Sequence, residues 1–310
     1  MRTPSLEQHY LLPAIKDLLA LDNQARIAHI EKDHWIGYQR AQQALQKLNH
    51  LFMHPKRNRM PNLLIVSPTN NGKTMLIHKF FRDHFPERAK NLVSDEDLLL
   101  EAPVISMQMP ANPDVKRFYF AMMDKLDTYN SLRRRTTLSA FEPEVYREMK
   151  KFNVRMLIID EIHNVLAGSY RQQIEFLNVI RYIGNEVKIP IVCVGTKEAY
   201  LAIRSDPQLE NRFEPFALPV WKAGNHFEAL LASFVALLPL KNYSHLSQPE
   251  VSEYILAKSE GIIGEIATFL KRAAMLAINT GQECIDKALL EQVDYHSPSE
   301  RRQIFERELV

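Results

Sequence analysis

The chain has 310 residues, of which 46% are hydrophobic and 25% charged, and it carries two cysteines. Its 39 basic and 37 acidic residues leave a formal net charge of +2. This composition excludes a disordered, collagenous or disulfide-stapled chain and suits one large domain or a core with a smaller lobe. Any nucleic-acid footprint must come from local basic runs and not from bulk charge. No apolar stretch is long enough to span a bilayer and the N-terminus has no signal-type run, so a cytoplasmic location is expected.

The first sixty residues read as helices with breaks, with apolar residues at helical spacing over 25–30 and 41–52. Residues 63–66 form a buried-strand candidate, followed by a helix over 73–85 that Pro86 stops. A second strand over 104–109 precedes a helix over 118–126. A third strand over 156–160 precedes a helix over 172–182. The fourth and fifth strands fall at 189–194 and 213–218. Continuous apolar runs alternating with helices predict a parallel sheet covered on both faces.

Past Trp221 the pattern becomes helical only, over 227–238, 249–259, 264–279 and 286–293. The expected organisation is therefore an N-terminal helical extension packing on the core (1–55), an α/β core (56–220), a helical lid lobe (221–296) and a polar C-terminal tail or helix (297–310). Cys193 lies in an apolar run and reads as a small buried hydrophobe, with no metal-ligand spacing to Cys284.

Chemistry enters at Ser67-Pro68-Thr69-Asn70-Asn71-Gly72-Lys73-Thr74, between the first strand and its helix. Backbone N–H groups at a helix start suit phosphate oxygens. Lys73 reaches the β- and γ-phosphates of ATP, and Thr74 offers its hydroxyl to Mg²⁺. Asn71-Gly72 is also a hairpin signal, but the flanks are strand-to-helix and not strand-to-strand. The glycine usual at the loop's first position is Ser67 here. Serine tolerates positive φ poorly, so an altered entry geometry is expected.

The third strand ends in two carboxylates. Asp160 is expected on the Mg²⁺ and Glu161 on the attacking water. The bland alternative is a strand end capped by solvated acids. His163 follows and reads as incidental or structural. Thr196, at the end of the fourth strand, is placed to sense the γ-phosphate or position water, or is an ordinary strand-end threonine. Arg212, before the fifth strand, is a candidate for stabilising transition-state charge on a neighbouring subunit's ATP, or a surface arginine.

Phosphate loop, Asp160-Glu161, Thr196, Arg212 and a helical lobe with Gly261-Ile262-Ile263-Gly264 occur in the order that resembles the AAA+ ATPases. More closely, the chain resembles the TniB/TnsC group of transposition ATPases. The motifs carrying this are Trp35-Ile36-Gly37-Tyr38, Arg59-Met60-Pro61-Asn62 leading into Leu63-Leu64-Ile65-Val66, Ile159-Asp160-Glu161-Ile162-His163-Asn164, Gln208-Leu209-Glu210-Asn211-Arg212-Phe213 and Ser259-Glu260-Gly261-Ile262-Ile263-Gly264.

The resemblance implies an AAA+ P-loop core with a five-stranded parallel sheet and a small helical lobe. It implies an ATPase that oligomerises as a ring or helical filament on double-stranded DNA, and the departures at Ser67 and after Gly264 suit hydrolysis that is slow and regulatory. Such proteins recruit a DDE-type transposase, sometimes with a targeting protein. By the same resemblance Arg212 is the arginine finger, and Trp35, Ile36 and Tyr38 lie near the adenine. A second sensor arginine is missing, since Glu265 and Ile266 follow Gly264. DNA phosphate contacts are expected from Lys116, Arg117, Arg133, Arg134 and Arg135, with Lys125, Lys150 and Lys151 in the same stretch. The alternative functions are a protein-remodelling or signalling P-loop ATPase that does not bind DNA, and a small-molecule kinase.

Overall fold

The computed structural model describes residues 10–84, 102–126 and 138–309. Its elements run α1 (Pro13–Leu18), α2 (Asn23–Glu31), α3 (Gln39–Phe52), β1 (Asn62–Val66), α4 (Lys73–His84), β2 (Val104–Gln108), α5 (Val115–Lys125), α6 (Leu138–Lys151) and β3 (Met156–Asp160). A 3-10 helix (Ile162–Ala167) follows, then α7 (Tyr170–Glu186), β4 (Ile191–Gly195), α8 (Lys197–Arg204), α9 (Pro207–Glu210) and β5 (Phe213–Ala217). The remainder is α10 (Asn225–Leu237), α11 (Pro249–Ser259), α12 (Ile263–Thr280), α13 (Lys287–Gln292) and α14 (Pro298–Glu308).

The chain divides into two compact units. The α/β unit comprises Arg40–Thr69 and Lys73–Leu218. Its five strands lie in the order β2-β3-β4-β1-β5, and every pairing is parallel. β4 is buried along its whole length, and β1 and β3 along all but their last residue, as expected when helices cover both faces. Cys193 is among these buried residues, and burial pushes its thiol far up, so it packs as an inert hydrophobe.

β5 is an edge strand. Only Phe213 and Phe216 are buried in it, with Glu214, Pro215 and Ala217 exposed, and it tolerates Pro215 because only one side needs ladder donors. The core includes Phe118, Tyr119, Phe141, Phe176 and Ile180 from α5, α6 and α7, stacked against β2, β3 and β4. α7 starts with a full capping box, in which Ser169 and Gln172 satisfy each other's backbone N–H groups.

The register aligns the carboxyl ends of neighbouring strands. Val66 lies opposite Gly195, and Gln108 opposite Asp160. In an open parallel sheet this is the edge at which ligands bind.

The helical unit comprises residues up to Gln39, the three residues Asn70–Gly72 and the chain from Pro219 onward. The stretch expected as a single N-terminal extension thus divides at Gln39/Arg40. The unit's core gathers Ile30, Phe227, Leu231, Ile255, Ile266 and Phe269. α2 and α13 are capped by Asp22 and Asp286, each accepting from a backbone N–H in the first turn. α12 ends on Gly281 in the left-handed region, where a side chain would be strained.

Candidate active site

Within the α/β unit, Ser67 is buried directly after β1, and its N–H donates to the carbonyl of Gly195 at 3.1 Å. Its φ is not positive. The left-handed residues of the loop are Asn70 (φ 57°) and Gly72 (φ 85°). The expected distortion at the loop's entry is therefore absent, because the demand for a left-handed residue falls further along. Pro68 and Thr69 are exposed.

Lys73 opens α4 and is only 5% exposed. Its ammonium donates to the carbonyls of Ser67 (3.1 Å) and Pro68 (2.8 Å), both in its own loop. Burial lowers its pKa, partly countered by the charges of Glu161 and Asp160. Its direct hydrogen-bond partners are neutral carbonyls, with no charged group among them.

Thr74 donates its hydroxyl to Asp160 Oδ2 at 3.2 Å. Asp160 Oδ1 accepts the backbone N–H of Glu161 at 2.8 Å. Glu161 itself is held in the left-handed region (φ 54°), an unfavourable state for a side chain of this kind and one found often at functional positions. Its Oε2 lies 3.2 Å from His163 Nδ1, which makes no geometrically sound hydrogen bond. His163 thus faces Glu161, a neighbour that spacing alone could not assign. Gly195 leaves room for it: a Cβ there would come within 3.1 Å of that same nitrogen.

Thr196 precedes α8 and donates its hydroxyl to Glu198 Oε2 at 2.5 Å. That bond, a backbone N–H bond and the charge of Lys197 hold the Glu198 carboxyl below its ordinary range. Arg212 is fixed by backbone bonds on both sides: its N–H donates to Leu209, and its carbonyl accepts from Asn62. Its guanidinium donates to Asn185 Oδ1 at 2.8 Å. Burial lowers its pKa, and Arg59 and Arg181 lower it further, with Asp206 opposing. Arg212 lines an open groove of about 730 Å³ along α3 and β5, together with Lys47, His50, His54 and Arg57.

Lys116 and Arg117 are exposed in the first turn of α5, whose cap is Asp114. Lys150 and Lys151 pair with Glu186 and Glu148. Arg133, Arg134 and Arg135 lie outside the described residues.

The helical unit holds the other loop residues. Asn71 Nδ2 donates to the carbonyl of Pro219 at 3.1 Å, and its Oδ1 accepts the N–H of Ile263 at 3.2 Å. Tyr38 stacks edge-on against Trp221 with ring centroids 5.0 Å apart, and its phenol is pushed up to about 12 by burial. Ile36, Tyr38 and Trp221 pack on the unit's core, whereas Trp35 is half-buried. Trp221 is held by a backbone bond to Gly261 at 2.7 Å, at a glycine with φ 69° where a Cβ would strike the Trp221 carbonyl. This explains the glycine in the Gly261-Ile262-Ile263-Gly264 motif, and it adds Trp221 to the aromatic group around Tyr38.

A parallel sheet in this order, a strand-loop-helix with a buried lysine, and an acidic pair ending the third strand define a P-loop ATPase of the AAA+ class. The fold is similar to that of the Aeropyrum pernix ORC1 protein in complex with DNA, with TM-score 0.57 and 14% identity over 90% of this chain and 69% of that one. It is also similar to the Aeropyrum pernix ORC2 protein in ADPNP–ADP complexes (0.55, 14%, 86% and 70%). Cdc6p from Pyrobaculum aerophilum is comparable (0.55, 14%, 85% and 70%). No curated protein matches the chain.

The sequence profile described as "Bacterial TniB protein" matches residues 26–223, well over half of the chain. The chain belongs to the TniB family of AAA+ ATPases. Among the described residues, no helix is long and apolar enough to cross a membrane.

Proposed function

We propose that this protein is an ATP-dependent regulator of DNA transposition, which oligomerises as a ring or filament on double-stranded target DNA and recruits a DDE-type transposase. The reading is carried by membership of the TniB family together with the Lys73–Thr74–Asp160–Glu161 constellation. The fold's likeness to the Aeropyrum pernix ORC1 protein, solved in complex with DNA, supports a role on DNA.

In this reading Lys73 leaves its loop carbonyls for the β- and γ-phosphates, joined by the loop from Pro68 to Thr74. Tyr38, Ile36 and Trp35 flank the adenine. Thr74 and Asp160 suit Mg²⁺: both offer hard oxygen atoms, and their side chains already meet at 3.2 Å. Bound there, Mg²⁺ would neutralise phosphate charge.

Glu161 orients the attacking water and takes its proton, and Thr196 positions the γ-phosphate or the water. Arg212 acts on the ATP of a neighbouring copy; the repulsion from Arg59 and Arg181 marks it as a guanidinium short of negative charge. Glu265 stands where a second sensor arginine would be expected, which suits slow, regulatory hydrolysis. Lys116, Arg117 and the run Arg133 to Arg135 carry the DNA phosphate contacts.

Electron microscopy and filter binding with duplex DNA test the reading, with and without a non-hydrolysable ATP analogue. Nucleotide-dependent assemblies on DNA are expected. DNA binding that is absent, or indifferent to nucleotide, overturns it in favour of a protein-remodelling ATPase.

A further inference from the structure

The tip of the phosphate loop is built into the helical unit. Asn70 is held left-handed, its carbonyl accepts the N–H of Gly264 at 3.0 Å, and its Nδ2 donates to Glu265 Oε1 at 3.0 Å. The fit leaves no space at Gly264, where a Cβ would lie 2.1 Å from Asn70 Oδ1.

Glu265 is a buried carboxylate with two further donors. Tyr295 Oη donates to its Oε2 at 2.6 Å, and Arg301 contributes a charged bond at 2.8 Å. Arg301 belongs to α14, which has no buried residue. α14 is otherwise tethered by polar contacts: Lys258 to Glu300 at 2.8 Å, and the N–H of Ser299 to Glu260 at 2.7 Å. A surface helix is thus joined to the phosphate loop through one buried carboxylate.

We infer that Glu265 is a positioning residue that couples α14 to nucleotide binding, by fixing Asn70 when Arg301 is docked and releasing it when Arg301 is withdrawn. The chemistry is that of a saturated acceptor. With Arg301 in place, Glu265 Oε2 is fully engaged and Oε1 is aimed at Asn70. Without Arg301 the carboxylate has lost its charge partner and can turn away. Asn70 then relaxes from a backbone conformation that costs an asparagine side chain some strain. Asn70 lies three residues before Lys73 in the same loop, so its backbone state sets where the phosphate-facing N–H groups point. A partner that grips α14 therefore alters ATP affinity without touching the nucleotide.

The inference rests on ATP binding at this loop, and titration of the full chain with a fluorescent ATP analogue tests it. Arg301→Ala is expected to weaken binding by about threefold or more, the range of contacts coupled through a shared group. Arg301→Lys should recover most of the loss. Asn70→Ala is expected to weaken binding as well, and the double variant to bind no more weakly than Asn70→Ala alone. A merely structural role for Arg301 would instead lower the melting temperature of the nucleotide-free protein and leave the two losses independent. Wild-type affinity in Arg301→Ala, or losses that multiply in the double variant, overturn the inference. A wild-type chain that fails to bind the analogue removes the nucleotide reading itself, and the inference with it.

Discussion

Two buried cations in this molecule are treated in opposite ways. Arg26, in the helical unit, is fully buried and makes a bidentate pair with Glu283 at 2.7 Å, with further bonds to the Pro239 carbonyl and Asn23. That pairing raises its pKa despite burial. Lys73, in the α/β unit, is nearly as buried but has only loop carbonyls as direct partners, and burial lowers its pKa. Arg26 is matched by a carboxylate of its own chain, although its Nε has no hydrogen-bond partner, whereas Lys73 has no charged group among its direct hydrogen-bond partners. Arg212 differs from both: it is half-exposed, and the charges of Arg59 and Arg181 act against that of Asp206.

The largest effect that sharpens this contrast is at Lys73. Lys73→Ala is expected to abolish ATP binding by calorimetry while leaving stability without nucleotide unchanged or raised. Arg26→Ala should do the reverse, costing about 3–5 kcal/mol in urea unfolding because the buried Glu283 loses its bidentate partner and keeps only the longer contact to Lys241. A Lys73→Ala protein that unfolds much more easily than wild type would erase the distinction.

Arg212 comes next. Arg212→Ala is expected to reduce ATP turnover by about 10³-fold or more with affinity retained. Mixing it with Lys73→Ala should restore part of the activity, because each variant supplies what the other lacks at a shared interface. Mixtures no more active than their components would place Arg212 outside the neighbour's site. A loss of about 10²–10⁴-fold, overlapping that of Arg212→Ala but extending lower, is expected for Glu161→Gln, which should still hold ATP. Wild-type turnover there would remove Glu161 as the base.

Much of the α/β unit is legible in sequence because its strands are continuous apolar runs, a pattern with few competing explanations. α8, α9 and the 3-10 helix are short, and α6 contains Pro143, so periodicity marks them poorly. Spacing finds Lys73 and the acidic pair but not which loop residue turns left-handed. The requirement falls on Asn70 and Gly72, so Ser67 carries no strain. The absence of arginine after Gly264 is visible in the sequence, whereas the contact between Glu265 and Asn70 is not. Those residues are 195 positions apart, and only the folded helical unit brings them together.

The smallest effect lies in the pH dependence of the Arg26–Glu283 pair. Burial alone would raise the Glu283 carboxyl. Hydrogen bonds from Arg26 and the Lys241 backbone, with the charges of both residues, outweigh it and hold the group below its ordinary 4.5. A carboxyl held lower in the folded state than in the unfolded one contributes stability that is complete above the unfolded value. That contribution fades as pH falls through the folded value. The helical unit is therefore expected to lose stability on acidification below pH 4.5. Glu283→Gln should be less stable at neutral pH, because Arg26 keeps its charge without a counter-ion, and its stability should vary less across the acid range. Parallel acid profiles for wild type and Glu283→Gln would mean that the pair, however well bonded, is not where the helical unit senses acid.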